Sequence, residues 1–384
     1  MQESVRRYAE TLGSRVPVPV QIRVGLNSGE VVVRSIGNDL NMDYTAIGAT
    51  THLAARMEQA APPESIVVTA ETKRIVERYV RLRPMGAIEV KGLDRPIEAW
   101  EVVGLGPART RMQAAVQRGL SRLVGRESEL AVLRGAFERA RAGQPQVLAL
   151  VGEAGVGKSR LVWEAIESER DRGLLILEAS SVSYGRATTH LPIADMLRAY
   201  FRIEVGDGPA ALRAKVAAQL AALGDGLAAD LSAILAFMDA AAEDPAWDRL
   251  EPPQRRQRTL DALRRMFLRE SERQPVLVVF EDLQKIDAET QDLLDALLRS
   301  LGSARLLLLV EYRPAYRHDW ADRSYVTQLR VEPLSDASAG RLFETLAGRD
   351  PGLERLERLL VERAGGNPFF LEESVLVLAE TGVL

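Results

Sequence analysis

The chain has 384 residues, with 50 lysines and arginines against 54 acidic residues, and 46% of its residues are apolar. This length predicts two or three domains, and the composition is that of a folded protein rather than a disordered one. Because the chain has no cysteine, disulfides, thiolate metal sites and thiol catalysis are excluded. The three histidines, His52, His190 and His318, are too far apart along the chain to form metal-ligand spacing.

Charge and hydropathy also limit the kinds of partner. A net charge of −4 gives no general attraction to nucleic acid or to anionic membranes. No apolar stretch reaches the roughly 18 residues that span a bilayer, and the first residues do not resemble a signal peptide. We therefore expect a cytoplasmic protein with no membrane partner, and the chain implies no nucleic-acid partner.

Residues 1–103 have the pattern of a small α+β domain. The first twelve residues predict a helix, and residues 21–36 predict two strands joined as a hairpin at a turn over 27–29. Helical spacing follows over 46–59 and 71–78, and short apolar runs predict strands at 65–69, 88–90 and 97–103. Residues 104–121 contain glycine, proline and several arginines, which predicts a linker that can include a helical part.

Residues 122–384 alternate strand-like and helical segments. Apolar runs over 147–151, 174–179, 276–280 and 306–310 are each followed by a helical pattern. This alternation predicts an α/β domain in which parallel strands are connected by crossover helices. Residues 207–267 are rich in alanine and leucine and predict a helical insertion between two of the strands.

A complete phosphate-loop pattern, G-x-x-x-x-G-K-S, follows the first of these strands, and its lysine is one of only five in the chain. The pattern comprises Gly152, Glu153, Ala154, Gly155, Val156, Gly157, Lys158 and Ser159, and Arg160 continues into the next helix. Glycine lets the backbone turn its N–H groups onto phosphate, and the helix N-terminus favours the same anion. The lysine reaches the β- and γ-phosphates while the serine hydroxyl ligates Mg²⁺. The sequence therefore predicts ATP and Mg²⁺ as ligands.

A phosphate loop needs acidic side chains on a neighbouring strand. Glu281 and Asp282 follow the apolar run 276–280 directly. One carboxylate can orient Mg²⁺ and the other can polarise the attacking water. We place Glu281 on the metal side and Asp282 on the water side. The alternative is an acidic pair that caps the next helix.

The run 306–310 ends in Glu311-Tyr312-Arg313. Ligands of open α/β sheets bind at the carboxyl ends of strands, so Arg313 is placed to touch the γ-phosphate. The alternative is a solvated arginine in front of Pro314.

Together, these motifs resemble the ATPase module of the signal-transduction ATPases with numerous domains, in the AAA+-like division, over residues 123–384. The segment LVGRESEL resembles the family's entry motif, whose backbone cups the adenine at Val124, Gly125 and Arg126. The segment AGGNPFFLEE resembles its late Gly-x-Pro element, in which Pro368 packs near the adenine. The resemblance makes Arg313 a γ-phosphate sensor and implies a P-loop NTPase fold. This sequence has Glu-Asp where the family carries Asp-Asp or Asp-Glu.

Residues 1–103 resemble the C-terminal part of a class III adenylate/guanylate cyclase domain, which has a ferredoxin-like α+β fold. Thr45 matches the position that selects the purine base, and Arg56 matches the arginine that holds the triphosphate. His52 stands where the family has an asparagine, and Ala49 stands where it has an aspartate. The two metal-binding aspartates are expected on strands upstream of residue 1. The resemblance therefore implies a degenerate site that does not cyclise ATP.

Three functions from different classes remain open. The first is an ATP-hydrolysing bacterial signalling switch that carries an inactive cyclase-like domain, which pairs with a second copy or another cyclase-like chain. The second is a nucleotide cyclase that its ATPase domain regulates. The third is a module that holds ATP or ADP without turnover. The partial cyclase site argues against the second, and the acidic pair argues against the third.

Overall fold

The computed structural model of the protein describes residues 5, 21–36, 43–89, 95–108, 110–170, 172–180, 191–204, 206–320, 323–382 and 384. Of the helix predicted for the first twelve residues, Val5 is described and is helical, and the other residues lie outside the described part of the chain. The chain divides into two compact units, residues 1–120 and residues 121–384, and each is treated by itself.

The first unit contains six strands and three helices in its described part. Its strands are β1 Val24–Leu26, β2 Val32–Ile36, β3 Asp43–Ile47, β4 Ile66–Thr69, β5 Val80–Ile88 and β6 Ile97–Leu105. Its helices are α1 Ala49–Ala60, α2 Ala70–Val76 and α3 Arg111–Arg118. Four strands form a mixed sheet in the order β1-β4-β6-β5, and β2 pairs with β3 in a separate antiparallel pair. Helix α3 lies inside the segment that the sequence predicts as a linker.

The core of this unit forms between α1 and the four-stranded sheet. Met57 and Ala61 come from the end of α1, and they pack against Val67 of β4 and Ala99 of β6. The apolar spacing along α1 explains this arrangement, because residues four apart lie on one face of a helix.

The hairpin predicted for residues 21–36 is wrong. Strand β1 pairs in parallel with β4, with Val24 opposite Ile66, while β2 pairs with β3. The side chain of the turn residue Asn27 bonds other segments of the chain. Its amide donates to the carbonyl oxygen of Thr50 at 3.0 Å. Its side-chain oxygen accepts a hydrogen bond from the Thr69 hydroxyl at 2.7 Å. These contacts hold the turn against α1 and β4 and leave no tight two-strand turn.

The second unit is a mixed α/β fold around a parallel sheet. Its strands are β7 Gln146–Val151, β8 Leu175–Ser180, β9 Val276–Glu281, β10 Leu306–Tyr312 and β11 Val326–Arg330. They are ordered β11-β7-β10-β9-β8, and every neighbouring pair is parallel. The predicted strands and their parallel arrangement are confirmed, while β11 was not predicted.

The helices of this unit cover both faces of the sheet or form a group near the C-terminus. They are α4 Glu127–Arg141, α5 Lys158–Glu169, α6 Leu191–Tyr200, α7 Pro209–Leu223, α8 Leu231–Phe237, α9 Pro245–Asp248, α10 Pro252–Arg273, α11 Ala288–Leu298, α12 Asp336–Ala347, α13 Glu354–Ala364 and α14 Pro368–Glu380. Helices α7 to α10 correspond to the predicted helical insertion between β8 and β9.

Alternation along the strands decides which helices each face carries. Leu148, Leu277 and Leu307 belong to the cluster that includes α4 and α5. The adjacent residues of the same strands belong to the opposite cluster, which includes α6, α10 and α11; they are Val147, Val278 and Leu308. Successive side chains of a strand point to opposite faces, so the near-continuous apolar runs are buried on both sides.

The last three helices form a small core of their own. Leu342 and Phe343 of α12, Leu360 of α13 and Leu371 of α14 pack together. In the described residues, no helix is long and apolar enough to cross a membrane.

Candidate functional site

The predicted phosphate loop connects β7 to α5 at the carboxyl edge of the parallel sheet. Gly155 and Gly157 have φ values of 83° and 96°, which favour glycine, and Gly157 is the N-cap of α5. The Lys158 ammonium donates hydrogen bonds to the carbonyl oxygens of Gly152 at 2.8 Å and Glu153 at 2.9 Å. The loop therefore curls around its own lysine at the N-terminus of a twelve-residue helix.

The surroundings of Lys158 are mixed in charge. Burial lowers the pKa of Lys158, while the negative charges of Glu311 and Asp282 oppose that shift. The positive charge of Arg313 lowers the pKa further. These effects bring the loop lysine, two of the acidic side chains and Arg313 into one electrostatic neighbourhood.

Ser159 contacts an acid that the sequence analysis did not select. Its hydroxyl donates a hydrogen bond of 2.8 Å to Oε2 of Glu311. Glu311 is only 2% exposed, and its other oxygen, Oε1, is buried without a hydrogen-bond partner among the described residues. Burial raises the pKa of Glu311 to about 8, and the nearby charge of Glu281 raises it as well.

The position of Glu311 follows from strand alternation. Leu307 and Leu309 of β10 pack in the cluster that holds α5, and Glu311 continues the same face. A charged residue two positions after a buried leucine in such a run is the signal that could have identified it. The sequence does not say which helix covers that face, so the signal alone was insufficient.

The predicted acidic pair lies at the end of β9, the neighbour of β10. Glu281 is the last residue of β9, and its negative charge acts on Glu311. Asp282 adopts the left-handed conformation with φ 53°. Its carboxylate accepts hydrogen bonds from Lys285 at 2.5 Å and from the Gln284 amide at 2.8 Å. Burial alone would raise the pKa of Asp282, but Lys285, Gln284 and Arg313 together outweigh it and hold that pKa below its usual value.

Arg313 follows β10 on the same edge of the sheet. Its side chain is exposed, and its backbone N–H donates to the side-chain oxygen of Gln284 at 3.3 Å. Gln284 thus connects the segment after β9 to the segment after β10.

The entry segment packs against the loop through Arg126. This guanidinium is 6% exposed and donates to the carbonyl oxygens of Val156 at 3.0 Å and Glu332 at 2.7 Å. It also pairs with Glu129 at 2.8 Å. Gly125 has φ 67°, and a Cβ there would lie 2.4 Å from the Ser338 hydroxyl, so only glycine fits. Val124 is half-buried beside them.

The late Gly-x-Pro element lies directly over the phosphate loop. The Asn367 amide donates to the carbonyl oxygen of Ala154 at 3.0 Å, and the Phe369 N–H donates to that of Gly155 at 3.3 Å. A Cβ on Gly157 would lie 3.7 Å from the ring of Pro368. The start of α14 therefore bonds the loop at Ala154 and Gly155 and lies beside Gly157.

The side chain of Arg160, the residue after the phosphate-loop serine, forms hydrogen bonds outside the phosphate loop. Its guanidinium bonds Glu164 at 2.7 Å and the carbonyl oxygen of Ser121. These bonds join Arg160 to its own helix and to the segment just before the entry motif.

The donor set fits a magnesium–nucleotide complex. Mg²⁺ in nucleotide sites takes one or two protein oxygens and completes its shell with phosphate oxygens and water. The Ser159 hydroxyl and the unsatisfied Oε1 of Glu311 are hard oxygen donors at this edge. In the described part of the chain, no group of three or more acidic or histidine side chains forms a metal cage by itself.

The cyclase-like positions of the first unit are spread over a strand and a helix. Thr45 lies in β3 opposite Arg34 of β2, while His52 and Arg56 lie one turn apart in α1. His52 is exposed. The Arg56 guanidinium donates to the side-chain oxygen of Gln59 at 2.8 Å.

Each part of the chain matches a known family model. Residues 122–310 match the family model described as an AAA ATPase domain. Residues 2–104 match the model described as an adenylate and guanylate cyclase catalytic domain. The two-part resemblance inferred from the sequence is confirmed, since each region matches the corresponding family model.

Similar proteins include an uncharacterised protein of Rhizobium meliloti (strain 1021), 27% identical over 358 residues, which cover 92% of this chain and 34% of that protein. Adenylate cyclase 1 of the same strain is 32% identical over 85 residues, which cover 22% of this chain and 13% of that protein. The chain thus spans about a third or less of the length of these relatives.

Two solved cyclase structures are similar to the chain. The adenylyl cyclase CyaB from P. aeruginosa is 33% identical, with a TM-score of 0.24, over 26% of this chain and 54% of that one. The guanylate cyclase domain of RhGC from Catenaria anguillulae, in complex with GTP, is 26% identical, with a TM-score of 0.24, over 27% of this chain and 56% of that one.

Proposed function

We propose that residues 122–384 form a P-loop NTPase domain that binds ATP with Mg²⁺ and hydrolyses it slowly as a signalling switch. The observation that carries the proposal is the phosphate loop itself. It combines left-handed glycines, a lysine curled inside the loop and a serine bonded to a buried carboxylate, at the carboxyl edge of a parallel sheet. The match of residues 122–310 to the AAA ATPase model supports the same assignment.

Each group at this edge has a distinct task in the proposal. The N–H groups of residues 152–159 and the Lys158 ammonium hold the phosphates. Asp282 polarises the attacking water, Glu281 lies on the metal side, and the exposed Arg313 contacts the γ-phosphate. When bound, Mg²⁺ supplies charge neutralisation between the β- and γ-phosphates. Val124, Gly125 and Pro368 border the space for the base.

The test uses Lys158→Ala. Lys158 is the only lysine in the loop, so its loss leaves the phosphates without their cation, and we expect ATP affinity to fall at least ~10-fold. Lys215→Ala is the matched control, because Lys215 forms an ion pair with Asp207 at 2.6 Å within the helical insertion. Isothermal titration calorimetry of the full chain measures both. Equal ATP affinity in wild type and Lys158→Ala would overturn the proposal.

We propose further that residues 1–103 do not cyclise nucleotide and that they pair with a second copy of this chain or with another cyclase-like chain. In the described residues, β1 and β5 are the edges of the four-stranded sheet. Ile75 of α2 is 61% exposed and Leu105 of β6 is 62% exposed. Unpaired strand edges and exposed apolar side chains are features that interfaces cover.

Sedimentation velocity tests the pairing. We expect the wild-type chain to associate with increasing concentration, and Ile75→Asp with Leu105→Asp to remain monomeric. Ala55→Asp, a change on the exposed side of α1 away from the sheet edges, serves as a control for added negative charge alone. A wild-type chain that stays monomeric at all concentrations would exclude self-association.

A further inference from the structure

Three carboxylates lie near the phosphate loop, and they have different partners. Asp282 is bonded to Lys285 and Gln284. Glu281 ends β9 and acts on Glu311 through its charge. Glu311 accepts a hydrogen bond of 2.8 Å from the hydroxyl of Ser159, which belongs to the phosphate loop.

The sheet fixes Glu311 in this position. Strand β10 lies between β7 and β9, and Glu311 is opposite Leu150 of β7, the strand that leads into the phosphate loop. The same face of β10 carries Leu307 and Leu309, which pack in the cluster containing Leu161 of α5. Glu311 therefore points toward the first turn of the helix that carries Ser159.

The direction of this hydrogen bond has a chemical consequence. A serine hydroxyl has one proton and two lone pairs. Since the Ser159 proton is donated to Glu311, the lone pairs of Ser159 are left for a cation. Oε1 of Glu311 is buried and has no hydrogen-bond partner among the described residues, and an unsatisfied buried acceptor is costly unless a donor reaches it.

We infer that Glu311 is the positioning residue for the Mg²⁺ that accompanies the nucleotide. Through Oε2 it orients the Ser159 hydroxyl, and in the ionised form of Glu311 its Oε1 would accept a hydrogen bond from a water of the Mg²⁺ shell. This replaces Glu281 on the metal side of the site. The inference rests on the proposed binding of nucleotide to residues 152–159.

The experiment measures how much Mg²⁺ tightens nucleotide binding. A fluorescent ATP analogue is titrated into the full chain with Mg²⁺ and with EDTA, for wild type, Glu311→Gln and Glu281→Gln. Loss of a group that orients a metal ligand typically weakens metal affinity ~10–100-fold. In Glu311→Gln we expect Mg²⁺ to increase nucleotide affinity ~10-fold less than it does in wild type. The nucleotide affinity of this variant in EDTA should equal or exceed that of wild type. In Glu281→Gln, Mg²⁺ should increase nucleotide affinity as much as it does in wild type.

The results separate the two proposals. If the wild type binds the analogue and Glu311→Gln is tightened by Mg²⁺ as much as wild type, the inference fails while the proposed function stands. If the wild type binds no nucleotide, both fail. Circular dichroism confirms folding of the variants. Should Glu311→Gln not fold, Glu311→Asp keeps the charge and withdraws the carboxylate by one methylene, and full tightening by Mg²⁺ in that variant overturns the inference equally.

Discussion

Asn367 and Ala154 are 213 positions apart, and a hydrogen bond of 3.0 Å joins the side-chain amide of the first to the carbonyl oxygen of the second. The other end of the Asn367 side chain accepts a hydrogen bond from the Phe370 N–H at 3.3 Å and caps α14. One side chain thus holds both the phosphate loop and the last helix. A movement of the loop would therefore be transmitted to the start of α14.

Substitution of Asn367 separates these two contacts. Serine still caps a helix but cannot reach Ala154 with an amide donor, so Asn367→Ser should keep stability and weaken ATP binding. Alanine removes both contacts, and loss of the cap should cost about 1 kcal/mol. Thermal unfolding and calorimetric titration measure the two effects. Wild-type ATP affinity in Asn367→Ser would show that the loop does not depend on this contact.

Arg313 should discriminate ATP from ADP. It is exposed beside the loop, its charge acts on Lys158, and only ATP offers a γ-phosphate to it. We expect Arg313→Ala to lower the ratio of ATP to ADP affinity, while Arg317→Ala, an exposed arginine four positions on, leaves that ratio unchanged. Calorimetry with both nucleotides gives the ratios. An unaltered ratio in Arg313→Ala would assign Arg313 a solvated role before Pro314.

Asp282 should matter more for hydrolysis than for binding. Loss of a positioned base typically lowers the rate ~10²–10⁴-fold, so Asp282→Asn should reduce phosphate release while ATP affinity changes little. Glu281→Gln is the comparison, because it is the neighbouring acid at the end of β9. Phosphate release is measured at saturating ATP. A normal rate in Asp282→Asn with a reduced rate in Glu281→Gln would move the base to Glu281.

Glu311 should make stability depend on pH. Burial raises its pKa from 4.5 to about 8 in the folded protein. Below about pH 4.5 both states hold the proton, whereas between about 4.5 and 8 the unfolded chain has lost it and the folded chain has not. Folding is therefore progressively disfavoured as pH rises, by up to about 1.4 kcal/mol per pH unit.

Glu311→Gln removes this titration. We expect its free energy of unfolding to approach that of wild type near pH 4.5 and to exceed it increasingly toward pH 8. Urea unfolding in EDTA, without nucleotide, gives the two curves. A difference that does not change with pH would mean that Glu311 is ionised in the folded protein throughout this range.

The parts of the site that the sequence predicts are those that depend on contiguous residues. The phosphate loop is one unbroken pattern, and the apolar runs before it and before Glu281 are strands because β-branched and leucine residues repeat without a polar gap. Strand β11 escaped prediction because it lies at the edge of the sheet, where its half-exposed residues alternate with polar ones.

Contacts between distant segments could not be predicted in this way. The bond from Ser159 to Glu311 depends on β10 lying beside β7, although β8 and β9 separate them in the chain. The hairpin prediction failed for the same reason, since the turn residue Asn27 donates its side-chain amide to Thr50 and accepts a hydrogen bond from Thr69, both distant in the chain. Local pattern indicates which chemistry is present, and the order of the strands decides which groups meet.

The last prediction is that the chain makes no cyclic nucleotide. In the cyclase-like unit, His52 stands in the position of an asparagine and Ala49 in that of an aspartate, so two polar contacts that the resemblance implies are missing. The Arg56 guanidinium, which should hold the triphosphate, is bonded to Gln59 at 2.8 Å on its own helix. We expect no cAMP or cGMP above background from purified protein with ATP or GTP.

Mn²⁺ is the metal to use in this assay, because it is the most permissive for such sites, and an active cyclase assayed in parallel confirms that product would be detected. Arg56→Ala is the informative control. If wild type forms product and Arg56→Ala does not, the arginine must leave Gln59 and hold the triphosphate during turnover. The first unit would then be an enzyme, and the AAA ATPase-type region would be its regulator. If wild type and Arg56→Ala both stay at background while phosphate release continues, catalysis belongs to the second unit alone.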